Sequence, residues 1–491
     1  MTKILIALFS SAFFFLTDSA VAQRMWYLEG PDGGKSFGVD IHAAYAKLEG
    51  REPSNVVVAV IDNGCDIDHP SLQPYIWENP GERKGNNIDD DNNGYIDDIN
   101  GWNFLGSEDS DIVFEAFEEV RRYRKMQKLY SDTGKLTGEQ KIELQHAKES
   151  YDNWQSYVKS MARLTDKLYA NKDNFFVRRI FSLVGENMTN EEIEKMKNDA
   201  KALLHANTID PDSARKVIVG DDPDNSGERY YGNNRIAAGD PSHGTHTAGI
   251  VRFVASASPD SGSWLRIMSI RAVPVNGDER DKDVANAIRY AVDNGAKVIS
   301  MSFGKDYSPD VEAVRMAVRY AVEHDVLLVH GAGNDNKMLD SVYSYNYPNP
   351  LLDSVTRAKN WIEVGANTNS RKKLIAGFSN YGMNAVDILA PGSSIYSTIP
   401  GGKFSEYSGT SMAAPVVAGI AALIRSYFPN LSADEVKQLL VNNVLSTNRY
   451  YPVPGEKGVE AQLWYFCRAG GIVNAAMAVE AARKMQLSMK Q

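Results

Sequence analysis

The sequence contains little cysteine, no excess of positive charge and, beyond its first residues, no long apolar run. Only Cys65 and Cys467 are present among 491 residues. At most one disulfide bond can therefore form, and the sequence leaves one bridge and two separate thiols equally open. The formal net charge is −10 at pH 7. A nucleic acid partner is not expected, because binding to phosphates requires a basic surface.

A membrane-spanning helix needs about 20 apolar residues, and no run of that length follows the N-terminus. At the N-terminus itself, Lys3 precedes an apolar stretch from Ile4 to Leu16, and the small-residue pattern Ala20-Val21-Ala22 follows. This order is typical of a secretory signal, which we predict over residues 1–22. No cysteine follows the predicted cleavage site, so a lipid anchor is not expected there. We expect an exported protein, in the periplasm or the medium, without a membrane span after cleavage.

Internal repeats and low-complexity tracts are also absent. Hydrophobic residues make up 43% of the chain and charged residues 24%, as in ordinary globular proteins, so disordered and fibrous classes are excluded. From Val56 onwards, short apolar runs alternate with segments of helical periodicity. Six runs are typical of strands that are buried on both faces: 56–61, 265–270, 297–303, 326–330, 361–366 and 385–390.

Between these runs, residues 283–295 and 310–325 repeat apolar side chains at helical spacing. Strands that alternate with helices predict an α/β fold, with a doubly wound, mostly parallel sheet and helices on both of its faces.

One block interrupts this alternation. From residue 108 to 206, charged and aromatic residues recur at helical spacing, and Thr137–Gln140 and Thr189–Glu192 have the pattern of capping boxes. We predict an α-helical insertion over 108–206 with a small core of its own. The rest of the chain is assigned to an N-terminal extension and one interrupted α/β domain: 23–55, and 56–107 with 207–491.

Four short motifs carry candidate site residues, and two of them follow strands, where ligands bind in such folds. "AVIDNG" places Asp62 directly after the first strand, and "HGTHTAG" places His243 and His246 before a helix of small residues. "GAGNDN" places Asn334 after a later strand, and "GTSMAAP" places Ser411 at the start of a helix. Each motif taken singly also has a purely structural explanation, such as a turn or a helix cap. The two histidines lack the H-E-x-x-H spacing of a zinc site.

Taken together, the four motifs supply a carboxylate, a base, a nucleophile and an amide donor, which are the groups that acyl transfer requires. Through these motifs the sequence resembles the subtilisin-like serine proteases, from about Val56 to Gly106 and from Gly232 to about Val444. The order Asp, His, Ser along the chain is that of subtilisin.

The resemblance implies a role for each residue of the motifs. Asp62 would orient the base, His243 would be the general base, Ser411 the nucleophile and Asn334 a donor in the oxyanion hole. Spacing alone does not choose between His243 and His246; the family motif does. The resemblance also implies six residues along the substrate cleft: Ser302, Phe303, Gly304, Gly331, Ala332 and Gly333.

The expected function is that of an exported serine endopeptidase, which hydrolyses peptide bonds through an acyl-enzyme intermediate. Its expected partner is a peptide or protein substrate, its oligomeric state is open, and the chemistry requires no cofactor. Two alternatives stay open: an exopeptidase or peptide ligase with the same triad, and a catalytically silent binding protein on the same fold.

Three features depart from the family pattern. His330 stands beside the expected primary pocket, where the family usually has a small residue. The predicted insertion separates Asp62 from His243 much more widely than is usual. Only about thirty residues lie between Ala22 and Val56, too few for the usual inhibitory propeptide.

An acidic loop at 86–104 has the spacing of a calcium site. The first, third, fifth and ninth ligand positions hold Asp89, Asp91, Asn93 and Asp97. Asn100 stands at the twelfth position, where an EF-hand has a bidentate glutamate, and no helix pair flanks the loop. A structural calcium ion and an ordinary acidic surface loop are both open.

Overall fold

The computed structural model describes residues 24–31, 36–133, 135–174, 190–206, 208–257, 263–341 and 346–488. The predicted secretory signal, residues 1–22, and Thr189 of the second predicted capping box lie outside the described residues.

The helices are, in chain order, α1 (Ile41–Leu48), α2 (Glu118–Thr133), α3 (Gly138–Ala170), α4 (Asn190–Ala206), α5 (Pro211–Ile218), α6 (Ser242–Ala255), α7 (Asp281–Asp293), α8 (Val311–Glu323), α9 (Thr410–Tyr427), α10 (Ala433–Asn442) and α11 (Ala475–Ser488). The strands are β1 (Val56–Asp62), β2 (Gly101–Asn103), β3 (Leu265–Arg271), β4 (Val298–Met301), β5 (Leu327–Gly331), β6 (Trp361–Asn367), β7 (Ile388–Pro391), β8 (Ile395–Ile399), β9 (Lys403–Tyr407), β10 (Val444–Leu445), β11 (Tyr451–Pro452), β12 (Glu460–Ala461) and β13 (Ile472–Val473).

Nine strands form one sheet in the order β10-β13-β7-β6-β5-β4-β1-β3-β2. Every neighbouring pair is parallel except β10 with β13. The predicted mostly parallel sheet is therefore confirmed. Strand β1, between β4 and β3, ends with Asp62 directly opposite Arg271 of β3, so a candidate site residue lies at the carboxyl edge of the sheet, where ligands bind in open α/β folds.

The two faces of the sheet pack into two separate hydrophobic cores. Val58 and Val60 of β1 contribute to the core that contains α6 and α9. Ala59 and Ile61 of the same strand contribute to the core that contains α7 and α8. Because successive side chains of a strand point to opposite faces, helices cover both faces of the sheet, as predicted.

Two predicted strands are shorter in the structure. The run 297–303 forms a strand only over Val298–Met301, and the run 385–390 only from Ile388 to Pro391. Residues 302–304 leave the sheet after β4 and, as described below, line a cleft instead. Apolar composition thus extends beyond the hydrogen-bonded strand.

Among the described residues between β2 and α5, three helices are present: α2, α3 and α4. At the start of α3, Gln140 N donates to Thr137 Oγ1 and Thr137 N donates to Gln140 Oε1, so the first predicted capping box is present. Phe117 contacts Trp154 with ring centroids 4.0 Å apart. The buried residues of these helices include several that belong to neither core of the sheet: Val120, Ala147, Val158 and Ile193.

Both cysteines are buried free thiols, so the open choice at Cys65 and Cys467 is settled in favour of two separate thiols. Burial raises the pKa of both, to about 11 at Cys467. Among the described helices, α9 alone is long and apolar enough to cross a membrane, and 89% of its span lies inside the protein. That burial is typical of a core helix.

Candidate active site

Asp62 and His243 form a hydrogen-bonded pair at the carboxyl end of β1. His243 Nδ1 lies 2.8 Å from Asp62 Oδ1, and Asp62 is buried, whereas the side chain of His243 is 35% exposed. Thr247 Oγ1 donates to the other carboxylate oxygen over 3.2 Å. The imidazole is thus held by one nitrogen and keeps an exposed face, which is the arrangement of a base oriented by a carboxylate.

A glycine allows the helix of the histidine to approach the turn after β1. A Cβ atom on Gly244 would lie 2.0 Å from the carbonyl oxygen of Gly64. Gly64 itself has a φ of 110°, which side-chain-bearing residues rarely adopt. Asn63 adds a hydrogen bond of 2.9 Å from Gly244 N to its Oδ1. The small residues of the two motifs therefore bring Asp62 and His243 within contact.

Burial lowers the pKa of His243, but the charge of Asp62 and the hydrogen bond to it raise this pKa, and the net result lies above the usual value. His246 lies in a different environment from that of His243. Its ring is fully buried, stacks on Tyr407 and bonds to the carbonyl oxygen of Ser405 over 3.1 Å. Burial lowers the pKa of His246 to about 4. The structure therefore places His243 at the site and makes His246 a neutral core residue.

Ser411 lies in the first turn of α9. A Cβ atom on Gly419 of this helix would lie 2.8 Å from Val254 Cβ, so small residues let α9 pack closely on α6, which begins next to His243. Ser411 Oγ donates to the carbonyl oxygen of Ser302 over 3.2 Å, and Ser302 Oγ donates to the carbonyl oxygen of Ser411 over 2.9 Å. In this rotamer the hydroxyl group points to the wall of the cleft.

Asn334 follows β5 and is exposed, and its side chain is held by Thr410. Asn334 Oδ1 accepts hydrogen bonds from Thr410 N, over 2.8 Å, and from Thr410 Oγ1, over 3.2 Å. Gly333 N donates to the same hydroxyl group over 3.0 Å. Because the oxygen of the amide is engaged in these bonds, its NH₂ group is the part left to donate to a ligand.

A cleft of about 280 Å³ is lined by Ser411 and Asn334, whereas Asp62 and His243 are not among its lining residues. Its lining comprises Ser302, Phe303, Gly304, Lys305, Asp306, Gly331, Gly333, Asn334, Asp335, Asn346, Thr410 and Ser411. Five of the six predicted cleft residues are among them. Ala332 is not: its side chain is fully buried and its N–H donates to the carbonyl oxygen of Val364 in the sheet, so the prediction for Ala332 is wrong.

Five lining residues were not predicted from the sequence: Lys305, Asp306, Asp335, Asn346 and Thr410. Four of them directly follow or precede predicted site residues, so adjacency in sequence was a usable signal. Asn346 lies far from any motif, and only the tertiary structure brings it to the cleft.

Three of the four predicted calcium ligands contact one another in the acidic loop: Asn93 N donates to Asp89 Oδ1 and to Asp91 Oδ1, over 3.0 Å each. Asp97 accepts hydrogen bonds from three main-chain N–H groups, those of residues 85, 86 and 87, and Asp89 accepts from Asn93 N and Gly94 N. These carboxylates stabilise loop turns. The spacing of an EF-hand therefore identified the loop and Asp91, but not Glu82 or Asp98, which converge with Asp91.

The acidic side chains that do converge in this region are Glu82, Asp91 and Asp98, whose nearest oxygen atoms lie within 4.8 Å of one another. Glu82 Oε2 is a buried oxygen atom without a hydrogen-bond partner. Burial raises the pKa of Asp98 to about 6. A set of carboxylate oxygens with one unsatisfied atom fits the ligand chemistry of calcium.

The helices between β2 and α5 reach the site at two points. On one side, Lys305 Nζ is buried and lies 3.0 Å from Glu118 Oε2 of α2. Glu118 also bonds to Arg121, whose guanidinium donates to the carbonyl oxygen of Glu279. On the other side, Lys195 Nζ of α4 lies 2.6 Å from Asp240 Oδ2, three residues before His243. These helices therefore contact one residue that lines the cleft, Lys305, and the segment just before His243.

The chain is similar to known proteins over most of its length. The model of the family described as Subtilase family matches residues 53–461. The thermophilic serine proteinase of Bacillus sp. (strain AK1) is 35% identical over 250 residues, 49% of this chain and 55% of that protein. Thermitase of Thermoactinomyces vulgaris is 36% identical over 236 residues, 47% of this chain and 75% of thermitase.

The cell wall-associated protease of Bacillus subtilis (strain 168) is 34% identical over 221 residues, 44% of this chain and 22% of that protein. The chain thus spans about half the length of the thermophilic proteinase and less than a quarter of the cell wall-associated protease. A solved structure described as proteases from Pseudoalteromonas arctica matches 94% of this chain and 97% of its own, with a TM-score of 0.50 and 18% identity. That likeness shows the fold alone.

Proposed function

This chain belongs to the subtilase family, and from that membership and the geometry of its site we propose that it is a serine endopeptidase. The observation that carries the proposal is the Asp62–His243 hydrogen bond of 2.8 Å; the helix of His243 packs on the helix of Ser411, which lines the cleft together with Asn334. A carboxylate-oriented imidazole, a hydroxyl nucleophile and an amide donor are the parts of an acyl-transfer site.

The first half of the reaction forms the acyl-enzyme. Ser411 Oγ turns from the carbonyl oxygen of Ser302 towards His243, gives its proton to His243 Nε2 and attacks the carbonyl carbon of the substrate. Negative charge develops on the carbonyl oxygen of the substrate. This oxygen accepts hydrogen bonds from Asn334 Nδ2 and from Ser411 N. Asp62 stabilises the imidazolium, which then protonates the leaving amine.

In the second half, water replaces the amine. His243 takes a proton from the water molecule, the hydroxide attacks the acyl carbon, and the carboxylic acid leaves as Ser411 recovers its proton. The hydrogen bonds described above hold His243 and Asn334 in place for these steps, whereas Ser411 Oγ first leaves its bond to the carbonyl oxygen of Ser302.

Labelling by a fluorophosphonate probe tests the nucleophile. The wild-type chain is expected to be labelled, and Ser411→Ala is not. A wild-type chain that stays unlabelled would instead support the silent binding protein. Cleavage of peptides blocked at both ends separates an endopeptidase, which cleaves them, from an exopeptidase. Mass spectrometry of joined products detects a peptide ligase.

Export rests on the N-terminal pattern of residues 1–22 together with the name of one relative, a cell wall-associated protease. The protein would then act in the periplasm or the medium on peptide or protein substrates. N-terminal sequencing of the protein recovered outside the cytoplasm is expected to begin near Gln23.

A structural calcium ion belongs to the same proposal. Its support is the acidic loop spacing and the convergence of Glu82, Asp91 and Asp98. The ion would neutralise three carboxylates that otherwise repel one another and would stabilise the folded state by mass action. The chemistry at Ser411 does not use it.

A further inference from the structure

Behind the cleft lies a buried acid–base pair that the reaction above does not use. His330 of β5 and Glu363 of β6 stand opposite each other in the sheet and are almost completely buried. His330 Nδ1 lies 3.0 and 3.1 Å from the two carboxylate oxygens of Glu363. Trp361 Nε1 donates to Glu363 Oε2 over 2.8 Å. Ionisable groups that are buried this completely usually have hydrogen-bond or ion-pair partners.

The pair reaches the wall of the cleft through His330. His330 Nε2 lies 2.7 Å from the carbonyl oxygen of Phe303, so this nitrogen carries the hydrogen. Lys305 pairs with Tyr347 through both its N–H and its carbonyl oxygen. In an extended segment alternate residues turn their main-chain groups to opposite sides. The main-chain polar groups of Phe303 and Lys305 point away from the cleft. The main-chain polar groups of Ser302 and Gly304 therefore face it.

Glu363 connects the pair to Asn346, a residue that lines the cleft. Asn346 Nδ2 donates to Glu363 Oε1 over 3.2 Å and to the carbonyl oxygen of Gly331 over 3.3 Å. Both hydrogens of this amide are therefore used on the inner side. A Cβ atom on Gly304 would lie 2.6 Å from Asn346 Oδ1, and one on Gly333 3.8 Å from it. The amide oxygen thus lies between two walls of the cleft.

We propose that Glu363, supported by His330, is a specificity-determining residue: it turns the amide oxygen of Asn346 into the cleft, which then selects substrate side chains that end in a hydrogen-bond donor. An acceptor fixed by a buried carboxylate cannot rotate to offer its NH₂ group instead. A substrate side chain without a donor would leave that oxygen desolvated and unpaired, which is costly. This proposal rests on the proposed protease function.

The test compares two peptides that differ only at the residue before the cleaved bond, which is glutamine in one and methionine in the other. These side chains have similar length, and only glutamine carries a donor. The quantity measured is the ratio of kcat/KM for glutamine to kcat/KM for methionine. Asn346→Leu removes the acceptor and is expected to lower this ratio about three- to tenfold, the worth of one hydrogen bond.

Glu363→Gln keeps the size of the side chain and removes its charge. The amide of Asn346 is then free to turn, and the ratio is expected to fall by a similar factor. The double variant His330→Ala, Glu363→Ala leaves no single buried charge and is used where Glu363→Gln does not fold. As a matched control, Asp221→Asn breaks the buried pair of Asp221 with Arg215, away from the cleft. It lowers stability and is expected to keep the wild-type ratio.

An unchanged ratio in Asn346→Leu, or in a folded Glu363 variant, overturns the proposal. An equal change of the ratio in Asp221→Asn also overturns the proposal, because the change would then result from the loss of stability. If neither Glu363 variant folds, Asn346→Leu decides alone. Failure of the proposed function looks different: the wild-type chain would then cleave neither peptide and would not react with the fluorophosphonate probe.

Discussion

Lys195 Nζ of helix α4 lies 2.6 Å from Asp240 Oδ2, and Asp240 is three residues before the candidate base His243. Asp240 also accepts a hydrogen bond from Asn63, next to Asp62, through its carbonyl oxygen. The helices that interrupt the α/β domain are thus bonded to the segment just before His243. We expect them to limit the access of folded proteins to the cleft.

Lys195→Ala is expected to loosen α4 and to raise the cleavage of a folded protein relative to a short peptide. Its effect on the free energy of unfolding should be below about 1 kcal/mol, because the pair is partly exposed. Lys148→Ala is the matched control: it removes an exposed pair with Asp152 within α3 and leaves Asp240 untouched. The idea is wrong if both variants show the wild-type ratio of protein to peptide cleavage.

Asn334→Ala is expected to lower kcat by about a hundred- to a thousandfold, roughly 2.7–4 kcal/mol, with KM nearly unchanged. The lost hydrogen bond strengthens only as negative charge develops on the substrate oxygen. Asn334→Asp keeps an acceptor for Thr410 but has no amide donor, so it should be at least as slow. Recovery of kcat in Asn334→Asp would show that Asn334 acts only by holding Thr410.

Ser411→Ala and His243→Ala should each remove nearly all turnover, and the double variant should be little worse. Attack and proton transfer occur in one step, so the two losses do not add. Steady-state kinetics of the three variants on one peptide measure this. Wild-type turnover in Ser411→Ala, or fully additive losses, would contradict the assignment of nucleophile and base.

Activity should rise with pH as His243 loses its proton, with a midpoint above about 6.5, the ordinary pKa of histidine. The raised pKa follows from the Asp62 carboxylate, which outweighs the opposing effect of burial. The stabilisation linked to the protonated pair is present at low pH and lost as pH rises through the raised pKa.

In Asp62→Asn the midpoint should move down, and kcat should fall by about 10⁴ because the imidazole loses the partner that sets its tautomer. The pH dependence of kcat/KM for both proteins checks this, and an unchanged midpoint in the variant would contradict it.

A chelator is expected to lower the melting temperature of the wild-type chain but not that of Glu82→Gln, which lacks one of the three converging carboxylates. The stabilisation by added calcium should be largest above pH 6 and fade below it, because the pKa of Asp98 is raised to about 6 and its protonated form does not bind the ion. Glu78→Gln removes an exposed carboxylate nearby and should behave as wild type. Equal melting temperatures with and without chelator in the wild-type chain would end the calcium proposal.

The sequence by itself determined the fold class and the four candidate catalytic residues. Apolar runs and helical spacing are local properties, and local properties decide which segments become strands or helices. The motifs around Asp62, His243, Asn334 and Ser411 could be found because their residue types are needed in fixed local surroundings, such as a helix N-terminus or a turn after a strand. The family resemblance placed five of six expected residues along the cleft.

The tertiary structure decided what depends on residues far apart in the chain. It buried His246 and exposed His243, although both stand in one short motif, since only α6 packing on β1 and β9 sets their surroundings. It turned Ala332 into the sheet, brought Asn346 to the cleft, and placed Glu82 and Asp98 beside Asp91 of the acidic loop. Each outcome depends on which side of an element faces a distant partner, and no local pattern carries that information.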